Sequence, residues 1–322
     1  MLFILFWAIN SHADAQKIFV RQGASGKGSS WNDATGDLSR ALQSAVSGTE
    51  IWVAKGLYKA TAGQSRDNSF LLRQGVSLYG GFAGSETDLS QRNHTVNETI
   101  LSGEINQPGI ADNSHHVVLV QQADRSTIID GFTITAGNAN SEISETDRAN
   151  CGGGIYFDGS QGASNPIVRN CLIKGNLGRN GGGVYIDGRT GESSPLFESC
   201  SFVENEAGLD GGAIFNAAGI SGKSNPMLNN CRFERNLGSY GGAICNANES
   251  GNCNISLDKC LFLENAAYLR GGAIFSLNGA EKCYLETVDC SFNNNYPDDQ
   301  NMIFTSNAGR AQGYKILAGS KP

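Results

Sequence analysis

The sequence predicts an all-β fold, a right-handed parallel β-helix solenoid closed at its N-terminal end by a short helix. Three observations carry that expectation. A glycine phrase recurs through the second half: Gly152–Tyr156, Gly181–Tyr185, Gly211–Phe215, Gly241–Cys245 and Gly271–Phe275. A second phrase, Cys-x-(Ile/Phe)-x-x-Asn, alternates with it from Cys171, Cys200, Cys231, Cys260 and Cys290. The aliphatic anchors Ile155, Val184, Ile214, Ile244 and Ile274 are spaced 29, 30, 30 and 30 residues apart. A constant period of that size means one supersecondary unit stacked on copies of itself.

The repeat from Ser224 to Ser250 shows why the unit is a coil. Asn225-Pro226 turns the chain and Met227-Leu228 begins a strand; Asn229-Asn230 bends it again before Cys231-Arg232-Phe233-Glu234. Cys231 and Phe233 lie two residues apart and share a strand face. After Asn236 the chain turns once more and enters Ala243-Ile244-Cys245. The expectation is three short strands and three corners per coil, with no segment of helical period. Ile303, 29 residues after Ile274, opens a degraded sixth copy that caps an exposed sheet edge.

The other repeated positions have structural readings. The asparagines Asn176, Asn205, Asn236, Asn265 and Asn295 form a corner ladder, each amide donating to one coil and accepting from the other, in a position that suits left-handed backbone. Before three of them stand Glu204, Arg235 and Glu264, a solvated ion-pair ladder of little energy. The five column cysteines form a buried thiol ladder. Coils about 4.8 Å apart hold parallel Cβ atoms farther apart than the roughly 3.8 Å a disulfide prefers. Cys151, Cys245, Cys253 and Cys283 lie outside the column, with Cys245–Cys253 and Cys253–Cys283 as possible bridges.

Upstream the period loosens. Leu38, Ala41, Leu42 and Ala45 mark a short amphipathic helix that covers the first coil, and Ile51–Ala54 reads as a buried strand. Further strands are expected at Val76–Tyr79, Thr99–Leu101, His116–Val120 and Ile128–Thr135. The apolar run from Met1 to Ile9, followed by Ala13 and Ala15, reads as a signal peptide over 1–15. Residues 16–150 then form the N-terminal cap and irregular coils, and 151–322 the regular repeats and C-terminal cap, in one continuous domain.

A net charge of -7 with dispersed Lys and Arg argues against nucleic acid as a partner. No stretch after the signal is apolar enough for a transmembrane helix, and a monomer is expected.

The phrases Gly-Gly-Ala-Ile and Phe-x-x-Asn, the latter at Phe202–Asn205, Phe233–Asn236, Phe262–Asn265 and Phe292–Asn295, resemble the repeats of the chlamydial polymorphic outer membrane proteins. Ser30-Trp31, Ala41-Leu42, Glu50–Gly56 and Leu78–Thr87 resemble exported bacterial β-helix proteins of the pectin-lyase-like fold. These resemblances imply a secreted or surface protein, outer-membrane associated, with an adhesive role toward a polysaccharide or cell-surface ligand. The chain departs from the first family in having no segment after Ser306 long enough for its C-terminal membrane barrel.

Two function classes follow. One is a non-catalytic scaffold, adhesin-like or glycan-binding, with no cofactor and no catalytic residue. The alternative is a polysaccharide lyase or glycoside hydrolase. A lyase needs a basic residue to take a proton and stacked carboxylates that hold Ca²⁺. Asp158 and Asp187, each three residues past its anchor, are the candidates, with Asp210 on an adjacent turn and Lys174 or Arg179 nearby. Each of the pair precedes a glycine, so Asp-Gly turn chemistry explains them equally. Tyr156, Tyr185, Phe215 and Phe275 follow the anchors. If the anchors point inward, these rings form an exposed strip with the aspartates, suited to stacking sugars; if the rings themselves are buried, they are ordinary core. The candidate ligand-binding residues are therefore Tyr156, Asp158, Tyr185, Asp187 and Phe215. His115 and His116, expected on opposite strand faces, do not share a metal.

Overall fold

The computed structural model describes residues 15–60, 63, 65–106, 109–141, 148–248, 251–278, 285–297, 303–307 and 310–311. Residues 1–14 of the expected signal peptide (1–15), Cys283 and the tail from Gln312 lie outside them. Within them the chain winds as a right-handed parallel β-helix of about eight turns. Two nine-stranded sheets, one of eight strands and one of five run along the solenoid, and each strand pairs in parallel with its counterpart one coil away. The sole exception among the described strands is Arg310–Ala311, which returns antiparallel to Ile303–Asn307. Ile303 pairs in register with Ile274, so the degraded copy is a true continuation of the stack.

One coil comprises Ile167–Arg169, Leu172–Lys174, Leu177–Gly178 and Val184–Gly188. The expectation of three strands per coil therefore falls short by one. The missed piece lies between corner and glycines; it has two residues here, four at Leu237–Tyr240 and five at Ala266–Arg270, and a Gly-Ser pair such as Gly238-Ser239 reads as a turn. Ile128–Thr135 is likewise divided, into Ile128–Asp130 and Thr133–Thr135, because Gly131 takes a φ of 83° between them. The strand expected from His116 begins at Val118.

The core is a stack of columns. Ile155, Val184, Ile214, Ile244 and Ile274 are wholly buried, in register from coil to coil. Phe202, Phe233, Phe262 and Phe292 stack face to face at 4.7, 4.7 and 4.8 Å, the spacing the strands impose. The asparagine ladder is continuous: Asn176 donates to Asn205 at 3.0 Å, Asn205 to Asn236 at 3.0 Å, Asn236 to Asn265 at 2.8 Å and Asn265 to Asn295 at 2.9 Å. Each amide also donates to a carbonyl of the preceding coil, as Asn205 does to Ile173. Left-handed backbone, however, falls on the residue before the asparagine: Glu204, Arg235, Glu264 and Asn294 have φ between 50° and 54°. The residue before each column cysteine does the same, at Asn170, Ser199, Asn230, Lys259 and Asp289. The corner bends one step early so that the amide itself points inward.

All five column thiols are free, each directed at a carbonyl, as Cys200 is at that of Val168. Cys245 is a free buried thiol, so no Cys245–Cys253 bridge forms. Of the charge ladder, Arg235 pairs with Glu204 at 3.0 Å at the surface. Helix α1 (Leu38–Ser44), capped by Asp37, buries Leu38, Ala41 and Leu42 against the strands Lys17–Val20 and Phe70–Leu72. The Leu78–Thr87 segment runs from the strand Ser77–Phe82 into a turn, where the Glu86 carboxylate accepts from the amides of Ala83, Gly84 and Ser85 at 2.6–2.9 Å.

Candidate functional site: a groove on the outer sheet face

The repeated glycine phrase builds this site. Gly181 has a φ of 61°, unfavourable for any residue with a Cβ. At Gly182 an added Cβ would collide with the carbonyl of Glu206. These turns deliver Val184–Gly188 to the sheet with Val184 and Ile186 facing the core and Tyr185 and Asp187 facing out. The coil above repeats this with Ile155 and Phe157 inside and Tyr156 and Asp158 outside; Tyr156 aligns with Tyr185 and Asp158 with Asp187.

The outward rings are nevertheless not exposed. Tyr156 is 2% and Tyr185 3% accessible, and Cys151, the residue before the glycine turn, packs on them. Tyr156, Tyr185 and Phe215 stack at 5.4 and 5.2 Å within 8° of parallel, and His116 tilts against Tyr156 at 5.1 Å. The exposed strip expected from inward-pointing anchors is therefore absent. The anchors do point inward, but the glycine turn folds its own preceding segment over the rings, forming a second small core outside the coil. Phe215 is half-buried at the edge of that cluster.

An open groove of about 960 Å³ lies over this cluster, lined by Arg73, Gln121, Gln122, Arg148, Tyr156, Asp158, Ser160, Gln161, Asp187, Arg189 and Thr190, a volume typical of ligand sites. Its floor is one row along the solenoid. Gln121 aligns with Asp158 and Asp158 with Asp187; Arg73 follows Leu72, whose partner Val120 precedes Gln121.

The two aspartates have unlike surroundings. Asp187 receives Arg189 through both nitrogens, Nε at 2.9 Å and Nη2 at 2.8 Å, and the Tyr156 hydroxyl at 2.5 Å. Burial pushes this carboxyl up, but the Arg189 guanidinium and the Tyr156 hydroxyl outweigh it and hold Asp187 below the usual carboxylate range. Tyr156 moves up, through burial and then the charge of Asp187. Asp158 is held mainly by neutral donors: Gln121 at 2.9 Å and the Ser160 amide and hydroxyl at 2.9 and 2.5 Å. Arg148 stands 3.8 Å away and is 49% exposed.

Each aspartate also accepts from the amide two residues on, Ser160 and Arg189. The turn chemistry and the groove are thus the same residues. The pair does not fit a calcium site, since Arg189 occupies both oxygens of Asp187. Among the described residues no group of three or more His, Cys, Asp or Glu is arranged to hold a metal. Asp210, Lys174 and Arg179 do not line the groove. Asp210 instead sits beside Tyr240, one column away, where burial pushes its carboxyl up to about 6. His115 pairs with Asp67 at 3.1 Å while His116 is buried, its Nδ1 3.0 Å from the Gly152 carbonyl.

Arg73, Gln121, Arg148 and Arg189 were not singled out from the sequence. Gln121 was within reach, because it lies three residues past Val118 as Asp158 lies past Ile155; the irregular insertion between those coils hid the register.

No family model matches the chain, and no curated protein matches it. Among solved structures it is similar to the pectate lyase Pel9A, with 16% identity over 82% of this chain and 68% of that one, at a TM-score of 0.48. It is also similar to pectin methylesterase from Aspergillus niger in two glycosylation forms. The penultimately deglycosylated form gives 16% identity over 90% of both chains at a TM-score of 0.38. The deglycosylated form gives 15% identity over 90% of both chains at 0.40.

Proposed function

We propose that this chain is an exported scaffold of the cell surface or medium that binds a polysaccharide in the groove. The carrying observation is the row Arg73, Gln121, Asp158 and Asp187, one polar side chain from each of four successive coils. At about 4.8 Å per coil the row extends roughly 14 Å. Such a strip presents the Arg73 guanidinium, the Gln121 amide and Asp158 to successive units of a linear hydroxyl-bearing chain, with Asp187 fixed by Arg189 at its end. The outer location agrees with the repeat resemblance and with the N-terminal apolar run. Among the described residues no helix is long and apolar enough to cross a membrane.

The unlike surroundings of the aspartates favour a second reading, a hydrolase. Asp187, held below the usual carboxylate range by Arg189, would be the fixed anion, and Asp158, beside it in the groove, the second carboxyl of the pair. Incubating the purified protein with immobilised and soluble polysaccharides separates the readings. Retention without release of new reducing ends, unsaturated products or acid supports the scaffold. Product release abolished by Asp158→Asn establishes the hydrolase, and absence of both retention and release removes the glycan reading altogether.

A further inference from the structure

We infer that the interior cysteine column binds a monovalent thiophilic cation, Cu⁺ or Ag⁺, held in line between the sulfurs of consecutive coils. The site lies inside the coil and is independent of the groove and its ligand. Cys171, Cys200, Cys231, Cys260 and Cys290 follow one another coil by coil, because the strands they open pair in register. Cys200, Cys231, Cys260 and Cys290 point the same way, at the carbonyls of Val168, Phe197, Leu228 and Leu257, at 3.4–3.8 Å. Their sulfurs therefore repeat with the coil. On these strands that repeat measures 4.7, 4.7 and 4.8 Å at the phenylalanine rings two residues further on.

That spacing decides which bridge fits. A disulfide brings its sulfurs to about 2.05 Å and is far too short. Two metal–thiolate bonds of about 2.3 Å laid end to end span about 4.6 Å, close to the coil repeat. Zinc and calcium ask for four or more ligands, and no group of three suitable side chains among the described residues is arranged to supply them. Cu⁺ and Ag⁺ are soft ions that thiolates hold, and two ligands in line suffice for them. The inner four thiols are buried and Cys290, the last of the column, is half-buried, so the column fills from the gap between Cys260 and Cys290. There the Cys260 amide also donates to the Cys290 sulfur at 3.4 Å, which favours the thiolate. The ion bonds to the Cys290 thiolate, whose proton leaves to solvent. Its second bond is to a lone pair of the Cys260 thiol, which keeps its proton on the Leu228 carbonyl at 3.4 Å. The product is neutral, as a dry interior requires.

The test is a titration of the fully reduced, intact protein with silver nitrate, with glutathione present in roughly tenfold excess as a competitor. At the first equivalent a single ion should be retained on the chain in native mass spectrometry, with release of a single proton. The melting temperature should rise, since the ordered column exists only in the folded state. X-ray absorption at the metal edge, repeated with Cu⁺, should count two sulfur neighbours. Cys260→Ser and Cys290→Ser should each weaken retention by at least about tenfold, a hydroxyl being too hard a ligand. Cys245→Ser, at a buried thiol outside the column, should leave it unchanged. A lowered melting temperature means that the ion catches thiols only in the unfolded chain, and overturns the site. So does a count of three or more ligands, or retention that neither column substitution alters.

Discussion

The coils carrying Asp158 and Asp187 and the two after them share one backbone and invert each other's chemistry. In the first pair the inward position after the anchor is Phe157 or Ile186, and the outward one is Asp158 or Asp187. In the second pair the inward position becomes Asn216 or Asn246 and the outward one Ala217 or Ala247. The polar groups have moved inside and the apolar ones outside without disturbing the register, since Ile186 aligns with Asn216 and Asp187 with Ala217. The interior amides are bonded: Asn216 donates to Asn246 at 2.7 Å, and the Cys253 thiol donates to Asn246 at 2.9 Å. Stacked coils thus tolerate either polarity at these positions, provided every buried polar atom has a partner.

Cutting the interior of each pair gives the largest effects. Phe157→Ala should cost about 3–5 kcal/mol through an unfilled cavity. Asn246→Ala should cost about 2–4 kcal/mol by stranding Asn216 and Cys253 without their acceptor. Asn246→Leu restores volume without bonds. Should its urea midpoint match that of the unaltered protein, the interior amides contribute nothing and the inversion has no energetic meaning.

The regions should also respond oppositely to pH. Burial lowers His116, beneath the groove, to about 4 from its ordinary 6.5. Its unfolded form takes up a proton first as pH falls, so stability is lost between pH 6.5 and 4, by about 3 kcal/mol in all. Asp210, on the second pair's side, is raised to about 6 by burial. Its contribution is present below its unfolded value of 3.8 and is lost as pH rises through about 6. The two contributions nearly cancel, so His116→Gln should tilt the profile in this window toward loss of stability with rising pH, and Asp210→Asn should tilt it toward a gain. Identical pH profiles for the two variants would sink the distinction.

The smallest effect lies at the corners both regions share. Lys259 holds a φ of 51°, which costs an L-residue roughly 1–2 kcal/mol. Lys259→Gly should raise stability by up to about 1 kcal/mol after the entropy of glycine in the unfolded chain is counted. A lowered melting temperature would show that the Lys259 side chain does more than turn the corner.

Much of this was legible beforehand because stacking repeats chemistry. A column residue such as Asn236 or Phe233 has copies of itself above and below, so its environment is written into the period. The groove breaks that rule. Arg73, Gln121, Arg148 and Arg189 come from four segments of irregular spacing, and only the winding of the chain places them side by side. The Asp-Gly pairs were visible, yet whether they served the turn or the groove had no sequence signature, since the same two oxygens do both.

The period alone determined that the chain stacks in coils and that cysteine and asparagine form columns, because in-register parallel strands set like residues above one another; that Ile155 and its copies face inward was decided by the tertiary structure. The tertiary structure decided whether the outward tyrosines meet solvent. Cys151 and the glycine turn cover them, and such cover depends on how a segment folds over its own strand rather than on any residue's hydropathy. That cover turns a ring platform into a floor beneath a charged rim.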